Sequence, residues 1–282
     1  MQTAQALPAD LATRYSSLLA LLRPLLSEGL IVAFSGGVDS AFLLWAAEQA
    51  RREGGGRLLA LTTVSASFAA VEREDASKFI EMLGVEHRWA DSGEVSNPDY
   101  ARNDGLRCYH CKTELFRICR DVAGKTGLRH VAYGYNASDR TDVRPGHRAA
   151  AENEILSPLN DAGLVKDDIR ALMQAFGLPL ADKPASPCLS SRLMQGVAVT
   201  PRKLRDVEEI EAILRLGGLR VFRVRLHEEG DFRFPRLEVA PGEMEAAVAL
   251  REKLVEAAQA RGYRWATLDL AGYRLGGASP RR

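Results

Sequence analysis

Hydrophobic positions follow two alternating rhythms along the first part of the chain. Leucines at helical spacing predict an amphipathic helix over 11–26. Short apolar runs bounded by glycine or polar residues predict buried strands at 30–34, 58–64, 86–89 and 130–134. Helical patterns separate these strands at 40–52, 69–83 and 112–126. Alternating strands and helices predict a parallel sheet with helices on its faces, a Rossmann-like α/β fold.

The pattern changes beyond residue 185. Thr200 and Pro201 form a helix start, and the helical pattern runs to Leu216. Alternating strands at 219–226 and 234–239, a long helix at 240–261 and a strand at 263–270 complete this part. This order predicts a smaller C-terminal α+β domain with a partly antiparallel sheet. The proline-containing segment 183–188 is the expected boundary, which gives domains 1–185 and 186–282.

Composition narrows the class of protein. Of 282 residues, 46% are hydrophobic and 27% are charged, which argues against disorder. The 38 basic and 37 acidic side chains leave a net charge of +1, so no strong field attracts nucleic acid or anionic lipid. No apolar run reaches the roughly 20 residues of a membrane helix. The first ten residues lack a secretory pattern, so we expect a cytoplasmic protein with four reduced cysteines.

A glycine-containing loop follows the first predicted strand, and it reads Ser35-Gly36-Gly37-Val38-Asp39-Ser40. Glycines allow close approach to a ligand, and backbone N–H groups at a helix start bind anions. The alternative is a plain strand-to-helix turn with a polar cap. Asp39 would repel a phosphate unless a cation lay between them, so the loop predicts ATP with Mg²⁺.

Three cysteines invite a chemical interpretation. Cys108 and Cys111 form a C-x-x-C pair just before the predicted helix at Lys112, a spacing that suits a metal, an iron–sulfur cluster or a redox dithiol. Cys119 is expected to be a small buried hydrophobic residue. Cys188 lies between prolines and Arg192, which together with Lys183 would favour its thiolate. The alternative for Cys188 is an ordinary loop cysteine.

Arg223 and Arg225 are two residues apart in a predicted strand, so both lie on one face. Two guanidinium groups on one face can hold phosphate or carboxylate groups. From the pattern alone, a solvated arginine face is an equally good interpretation.

The glycine-containing loop Ser35–Ser40 resembles the pyrophosphate (PP) loop of the ATP pyrophosphatases, which split ATP between the α and β phosphates. The resemblance implies that adenine lies over Thr62, Thr63 and Val64. It also implies that adenine lies beside Gly134, Tyr135 and Asn136.

Four segments together resemble the LarE family of ATP-dependent sulfur transferases. They are Asp104–Lys112, Arg144–Ala150, Lys183–Arg192 and Thr267–Arg274. That family thiolates pyridinium-3,5-biscarboxylic acid mononucleotide during synthesis of the nickel-pincer nucleotide used in lactate racemase maturation. The resemblance covers both domains and implies that Cys188 is the sulfur site.

The resemblance implies further roles for single residues. Cys108, Cys111 and Cys188 match the variant that holds a [4Fe–4S] cluster supplied with external sulfide, whereas another variant sacrifices the sulfur of the residue matching Cys188. Arg223 and Arg225 would bind the substrate phosphate or carboxylates, and Arg192 another substrate anion. Asp142 and Arg144 would shape the ATP pocket. Asp269 and Tyr273 lie in a matching motif without an assigned role. A homo-oligomer, by family resemblance a hexamer, is expected.

Two other functions stay open from the sequence. A tRNA thiolation enzyme also combines a PP loop with C-x-x-C and a third cysteine, although it would need a basic surface for RNA. A protein that binds adenine nucleotides without turnover, as a sensor, is the non-enzymatic alternative.

Overall fold

The computed structural model describes residues 7–141 and 145–274. Its helices are α1 (Ala9–Glu28), α2 (Val38–Gly54), α3 (Ala70–Leu83), α4 (Pro98–Ala101), α5 (Arg107–Thr126), α6 (Pro145–Glu152), α7 (Pro158–Asp161), α8 (Lys166–Ala175), α9 (Pro201–Leu216), α10 (Met244–Ala249) and α11 (Arg251–Ala260). Its strands are β1 (Leu30–Ala33), β2 (Leu58–Val64), β3 (His87–Asp91), β4 (His130–Tyr133), β5 (Phe222–Glu229), β6 (Phe232–Val239) and β7 (Thr267–Leu268). Short 3-10 helices lie at Glu94–Ser96, Ala137–Thr141, Leu189–Arg192 and Pro241–Glu243.

The described residues form two compact units. The first comprises described residues of 1–64, 70–92 and 108–186, and the second those of 65–69, 93–107 and 187–282. The main change of unit along the chain therefore falls between Ser186 and Pro187, while two short segments from the first half belong to the second unit.

The first unit is built on a parallel sheet in the order β3-β2-β1-β4. All four residues of β1 are buried because helices cover both faces of the sheet. On one face α1, α2 and α8 supply leucine, alanine and phenylalanine side chains to the core. On the other face α5 and α6 supply Phe116, Cys119 and Ala149. The predicted Rossmann-like α/β fold is confirmed.

The strand order marks where a ligand site is expected in this sheet. From β1 the chain continues outward through β2 and β3, and then returns to the other side of β1 as β4. Ligands bind outside the carboxyl ends of strands at such a reversal. The segments that follow β1 and β4 are Phe34–Gly37 and Gly134–Asn136, so the predicted nucleotide residues lie at this position.

The second unit contains a three-stranded sheet in the order β5-β6-β7. Strands β5 and β6 are antiparallel, and β7 joins β6 in parallel. Helix α9 begins as predicted, because the Thr200 side chain accepts a hydrogen bond from the Lys203 amide and Pro201 occupies the first turn. The predicted α+β class of this unit is confirmed.

Two C-terminal elements differ most from their predicted extents, and β5 (Phe222–Glu229) lies three residues later than the strand predicted over 219–226. The helix predicted over 240–261 is split by Leu250, whose backbone (φ −89°, ψ 4°) ends α10 before α11 begins. At this break Leu250 packs so closely on Gly217 that a β-carbon there would lie 2.4 Å from its Cδ1 atom. The strand predicted over 263–270 shrinks to β7, because the Tyr263 amide instead donates to Ala258 at the end of α11.

The described residues contain no helix with both the length and the apolar character of a membrane span.

Candidate active site

The loop after β1 is held in shape by its own serines. The Ser40 hydroxyl donates to the Gly37 carbonyl (3.0 Å) and accepts from the Ser35 amide (3.2 Å). The Ser35 and Ser40 hydroxyl oxygens are 3.0 Å apart. Gly36 has φ +73°, a conformation that favours glycine, and a β-carbon there would lie 3.2 Å from the Ala76 β-carbon. The loop geometry therefore depends on both its serines and Gly36.

Gly134, at the end of β4, lies directly against the start of α2. A β-carbon at Gly134 would be 2.7 Å from the Ser40 amide nitrogen and 3.0 Å from the Asp39 carbonyl carbon. Only glycine permits this approach without a shift of backbone. The residue predicted to border the nucleotide is thus placed beside the phosphate loop.

The first turn of α2 offers backbone donors to a ligand. Its cap is Gly37, so no side chain caps the helix there. The first N–H groups of a 17-residue helix carry partial positive charge and lack partners within the helix. An anion bound there would satisfy them, as in other phosphate sites at helix N-termini.

The two carboxylate oxygens of Asp39 differ in their hydrogen bonding. Its Oδ2 atom accepts a hydrogen bond from the Lys166 ammonium group at 2.5 Å. Its Oδ1 atom is buried and has no hydrogen-bond partner among the described residues. Burial raises the pKa of Asp39, and the charge of Lys166 opposes that shift. A buried carboxylate oxygen beside a phosphate cradle fits Mg²⁺, which takes one or two protein carboxylates together with substrate phosphates.

Two lysines that flank the loop were not identified as nucleotide residues from the sequence. Lys166 opens α8 and pairs with Asp39 across 127 residues of sequence. Lys183, considered as a neighbour that favours the Cys188 thiolate, instead forms ion pairs with Glu72 (2.7 Å) and Asp75 (2.8 Å). Lys183 opens the segment Lys183–Arg192 that carries the family resemblance, whereas Lys166 lies in none of the segments singled out in the sequence.

Thr62 and Asn136 both make structural hydrogen bonds. The Thr62 hydroxyl donates to the Phe34 carbonyl (2.7 Å) and lies 3.0 Å from Nε2 of His87. The Asn136 side chain accepts from the Ser138 amide and shapes the turn after β4. These side chains therefore fix the walls of the predicted adenine position. An adenine contact by either side chain stays a prediction.

Cys108 and Cys111 lie in the first two turns of α5, which begins at Arg107, and the prediction that they precede the helix is wrong. Asp104 starts the helix early, because its side chain accepts from the Leu106 amide and its carbonyl from the Arg107 amide. Residues three apart on a helix share one face, so both thiols lie on the same side of α5. Cys108 is exposed and Cys111 is partly buried.

Cys119 is fully buried in the core beneath the sheet, which confirms its interpretation as a small hydrophobic residue. Burial raises the pKa of its thiol to about 12, so it stays protonated at neutral pH.

Cys188 is presented by a short 3-10 turn in the second unit. It is exposed and caps the turn Leu189–Arg192. The Cys188 carbonyl accepts from the Ser191 amide (2.9 Å) and hydroxyl (2.7 Å). The Leu189 amide donates to the Ser67 carbonyl, which anchors the other side of the turn. The backbone around the thiol is thus fixed while the thiol remains accessible.

Arg192 is buried and occupied by protein partners. It forms an ion pair with Glu211 (3.0 Å), and both side chains are at most 4% exposed. Arg192 also donates to the carbonyls of Pro187 and Cys188. This placement supports a role for Arg192 in positioning the Cys188 turn. A direct contact with a substrate anion stays a prediction.

Arg223 and Arg225 share one face of β5, but that face is buried and the alternative of a solvated arginine face is wrong. Arg225 pairs with Glu238 (3.0 Å) and donates to the Ser191 carbonyl (2.9 Å), which brings β5 to the Cys188 turn. Arg223 lies 5.2 Å from the Tyr273 ring centroid. Burial lowers the pKa of Arg223, and the neighbouring Arg192 and Arg225 charges add to that effect.

Of the other residues in the family-like segments, Asp269 has a defined position in the structure. Asp269 pairs with Arg236, and a hydrogen bond from the Ala271 amide lowers the pKa of Asp269. Asp142 and Arg144 lie outside the described residues. Among the described residues, no three His, Cys, Asp or Glu side chains gather into a group that could hold a metal ion. The structure therefore does not support the predicted three-cysteine cluster.

Comparisons with known proteins cover nearly the whole chain. The sequence is 38% identical over 249 residues to an uncharacterized protein of Synechocystis sp., a match that spans 87% of this chain and 90% of that protein. It is 31% identical over 268 residues to pyridinium-3,5-bisthiocarboxylic acid mononucleotide synthase of Lactiplantibacillus plantarum, spanning 95% and 94%.

A shorter match links the chain to a second class of enzyme. The sequence is 31% identical over 196 residues to the tRNA-specific 2-thiouridylase MnmA of Xanthobacter autotrophicus, spanning 57% of this chain and 50% of that protein. No protein-family model matches the chain. The match to the synthase covers both units at 31% identity, and on this ground the chain belongs to the family of pyridinium-3,5-bisthiocarboxylic acid mononucleotide synthases, the LarE family.

Proposed function

We propose that this protein is an ATP-dependent sulfur transferase that converts a carboxylate of pyridinium-3,5-biscarboxylic acid mononucleotide to a thiocarboxylate. The observation that carries the proposal is the nucleotide site of a chain that matches the named synthase over 95% of its length. Glycine-lined backbone donors meet there with a buried Asp39 oxygen that has no hydrogen-bond partner among the residues the structure describes.

Activation by ATP follows from the first unit. The amides of Gly37 and the first turn of α2 would bind the phosphates, with Ser35 and Ser40 fixing the loop around them. Asp39 would hold Mg²⁺, which supplies charge neutralisation on the phosphates when bound. A substrate carboxylate oxygen attacks the α-phosphorus, and the bond to the bridging oxygen of pyrophosphate breaks. The products of this step are an acyl-adenylate and pyrophosphate.

Anion recognition is assigned to the second unit. In the described part of this unit, the guanidinium groups of Arg192, Arg223, Arg225 and Arg236 lie near the carboxylates of Glu211, Glu238 and Asp269. Burial beside two other guanidinium groups disfavours the charge on Arg223. An incoming phosphate or carboxylate would relieve this repulsion, and we therefore assign Arg223 and Arg225 to the substrate anion.

Sulfur transfer is assigned to Cys188 because its thiol is exposed on a fixed turn. In the sacrificial route, the Cys188 thiolate attacks the acyl carbon, AMP leaves and a thioester forms. Loss of the Cys188 α-proton then breaks the Cβ–Sγ bond, which leaves dehydroalanine and releases the thiocarboxylate. The electrons of that bond stay on sulfur, so no oxidant is required.

A [4Fe–4S] cluster on Cys108, Cys111 and Cys188 is the other prediction for the sulfur source. The presence of all three cysteines in the sequence supports this prediction. It is not supported by the described residues, in which no three metal-ligating side chains lie together. Iron and acid-labile sulfide after oxygen-free purification, with an unchanged protein mass after turnover, would support it. Metal-free protein that loses the mass of H₂S at residue 188 would support sacrifice.

The separate roles of the two units can be tested with Cys188→Ala. This variant is expected to release pyrophosphate in the presence of the dicarboxylate substrate and to form no thiocarboxylate. Cys108→Ala is the matched control, because it removes another exposed thiol and should retain one sacrificial turnover. Loss of pyrophosphate release in Cys188→Ala would contradict the division of roles. Wild-type protein that binds ATP and releases no pyrophosphate would be a nucleotide sensor.

Thiolation of tRNA is the second candidate, favoured by the match to the thiouridylase. That match covers only about half of each chain, and the net charge of +1 offers no general attraction to RNA. Bulk tRNA should therefore cause no salt-dependent gel shift. A shift together with tRNA-dependent pyrophosphate release would favour this candidate over the mononucleotide.

A further inference from the structure

Lys183 contacts the backbone of the loop Ser35–Ser40 at the Gly36 carbonyl. Its ammonium group lies 3.4 Å from the Gly36 carbonyl oxygen and within 2.8 Å of carboxylate oxygens of Glu72 and Asp75. The Lys183 side chain is 11% exposed, so these contacts are made largely away from solvent. Three oxygens therefore share the three protons of one ammonium group.

The contact with Gly36 fixes the orientation of one peptide. In a trans peptide the carbonyl and the following N–H point in opposite directions. With the Gly36 carbonyl directed at Lys183, the Gly37 N–H is directed away from it, and this N–H donates a long hydrogen bond (3.4 Å) to the Ser35 hydroxyl. Gly36 has φ +73° and lacks a side chain, so the contacts with Lys183 and with the Ser35 hydroxyl restrain the rotation of this peptide.

The backbone of Lys183 is itself held in place. Its carbonyl accepts from the Arg170 guanidinium at 2.7 Å, and its amide donates to the Leu180 carbonyl at 3.0 Å. Arg170 belongs to α8, the helix whose first residue, Lys166, binds Asp39. Helix α8 and the segment that follows it thus present the ammonium groups of Lys166 and Lys183 to the loop.

We propose that Lys183 is a positioning residue that holds the Gly36–Gly37 peptide with its N–H directed at the bound pyrophosphate moiety of ATP. This inference rests on the proposed use of ATP. The two carboxylates hold the Lys183 ammonium group in place and keep it from moving to the phosphates itself. Lys183 therefore acts on the ligand through a backbone amide and not by direct contact.

The test compares ligands that do and do not use the loop. Pyrophosphate with Mg²⁺ and adenosine are titrated separately into the full-length protein by calorimetry. Lys183→Met should weaken pyrophosphate binding by about tenfold or more, the loss typical of a preorganised backbone donor. Adenosine binding should change less than about twofold, because adenosine carries no phosphate for the peptide to bind.

Two further variants separate positioning from folding. Lys183→Met leaves Glu72 and Asp75 without their ammonium partner, so the triple variant K183M/E72Q/D75N removes the charge imbalance. It should recover the melting temperature and still bind pyrophosphate weakly. Lys78→Met is the matched control, since Lys78 forms an exposed ion pair with Glu74 on the same helix, α3. It should bind both ligands as the wild type does.

The outcomes decide between the two roles. Wild-type affinity for pyrophosphate in the triple variant would overturn the inference and leave Lys183 as a neutralising partner of two carboxylates. Equal losses for pyrophosphate and adenosine would also overturn it. Turnover of the wild type is measured in parallel. Selective loss of pyrophosphate binding with no substrate-dependent pyrophosphate release would refute the proposed function and leave the inference intact.

Discussion

At the scale of single residues, Asp39 carries a stability cost that its proposed role explains. Burial raises its pKa despite the nearby Lys166 charge, so the folded protein disfavours the ionised form. A carboxylate with a raised pKa lowers stability at pH values above that pKa. The cost disappears below the ordinary pKa of aspartate, where both folded and unfolded chains are protonated.

Asp39→Asn should therefore separate stability from binding. At neutral pH we expect a melting temperature no lower than that of the wild type, with the difference narrowing as the pH falls toward the usual aspartate range. Mg²⁺-dependent binding of a non-hydrolysable ATP analogue should weaken at least about tenfold, because the cation loses its protein ligand. Asp121→Asn, which alters an exposed pair with Arg117, is the control. Unchanged analogue affinity in Asp39→Asn would count against the Mg²⁺ site.

Gly134 supplies a second residue-scale prediction. Alanine there would place its β-carbon 2.7 Å from the Ser40 amide nitrogen, so backbone must move. We expect Gly134→Ala to lower the free energy of unfolding by about 1–3 kcal/mol, measured by urea denaturation, and to weaken nucleotide binding. Gly124→Ala is the control, because no atom lies within 4 Å of a β-carbon in that helical position. It should stabilise by about 0.5–1 kcal/mol. Equal effects at both sites would show that the close approach is unimportant.

At the scale of elements, most helices and strands of the first unit could be predicted, because neighbouring residues in the sequence mark where each begins and ends. Glycine ends, apolar runs and helical periodicity placed β1, β2, α2 and α3 within a few residues of their observed ends. The break at Leu250 was missed because neither glycine nor proline marks it. Packing of Leu250 on Gly217, more than thirty residues away, accompanies that break and leaves no local signal.

The buried ion pair of Arg192 and Glu211 is one of the contacts that hold the Cys188 turn. Arg192→Met should cost about 3–5 kcal/mol of unfolding free energy, because Glu211 would keep a buried charge without its partner. The double variant R192M/E211M should recover much of that loss. A double-mutant cycle by urea denaturation measures the coupling. Arg117→Met, at an exposed pair with Glu114, should change stability by less than about 1 kcal/mol. A double variant no more stable than Arg192→Met would refute this account.

At the scale of the whole molecule, residues with candidate chemical roles were easier to predict from the sequence than the residues that hold them in position. The loop Ser35–Ser40, Cys188 and the Arg223–Arg225 pair carry recognisable residue types at short spacing. Lys166, Lys183 and Glu211 act through partners that are 127, 147 and 19 residues away in sequence. Such contacts depend on the folded arrangement, so their roles emerged only from the structure. The oligomeric state stays a prediction.

The central claim is that ATP activates a substrate carboxylate before sulfur arrives. The most direct test follows oxygen: the dicarboxylate mononucleotide is labelled with ¹⁸O in its carboxylates, and the AMP formed is analysed by mass spectrometry. The attacking oxygen stays with AMP when sulfur displaces it, so each thiocarboxylate formed should be matched by one AMP that carries one labelled oxygen. Thiocarboxylate accompanied by unlabelled AMP, or by ADP and phosphate, would contradict the account.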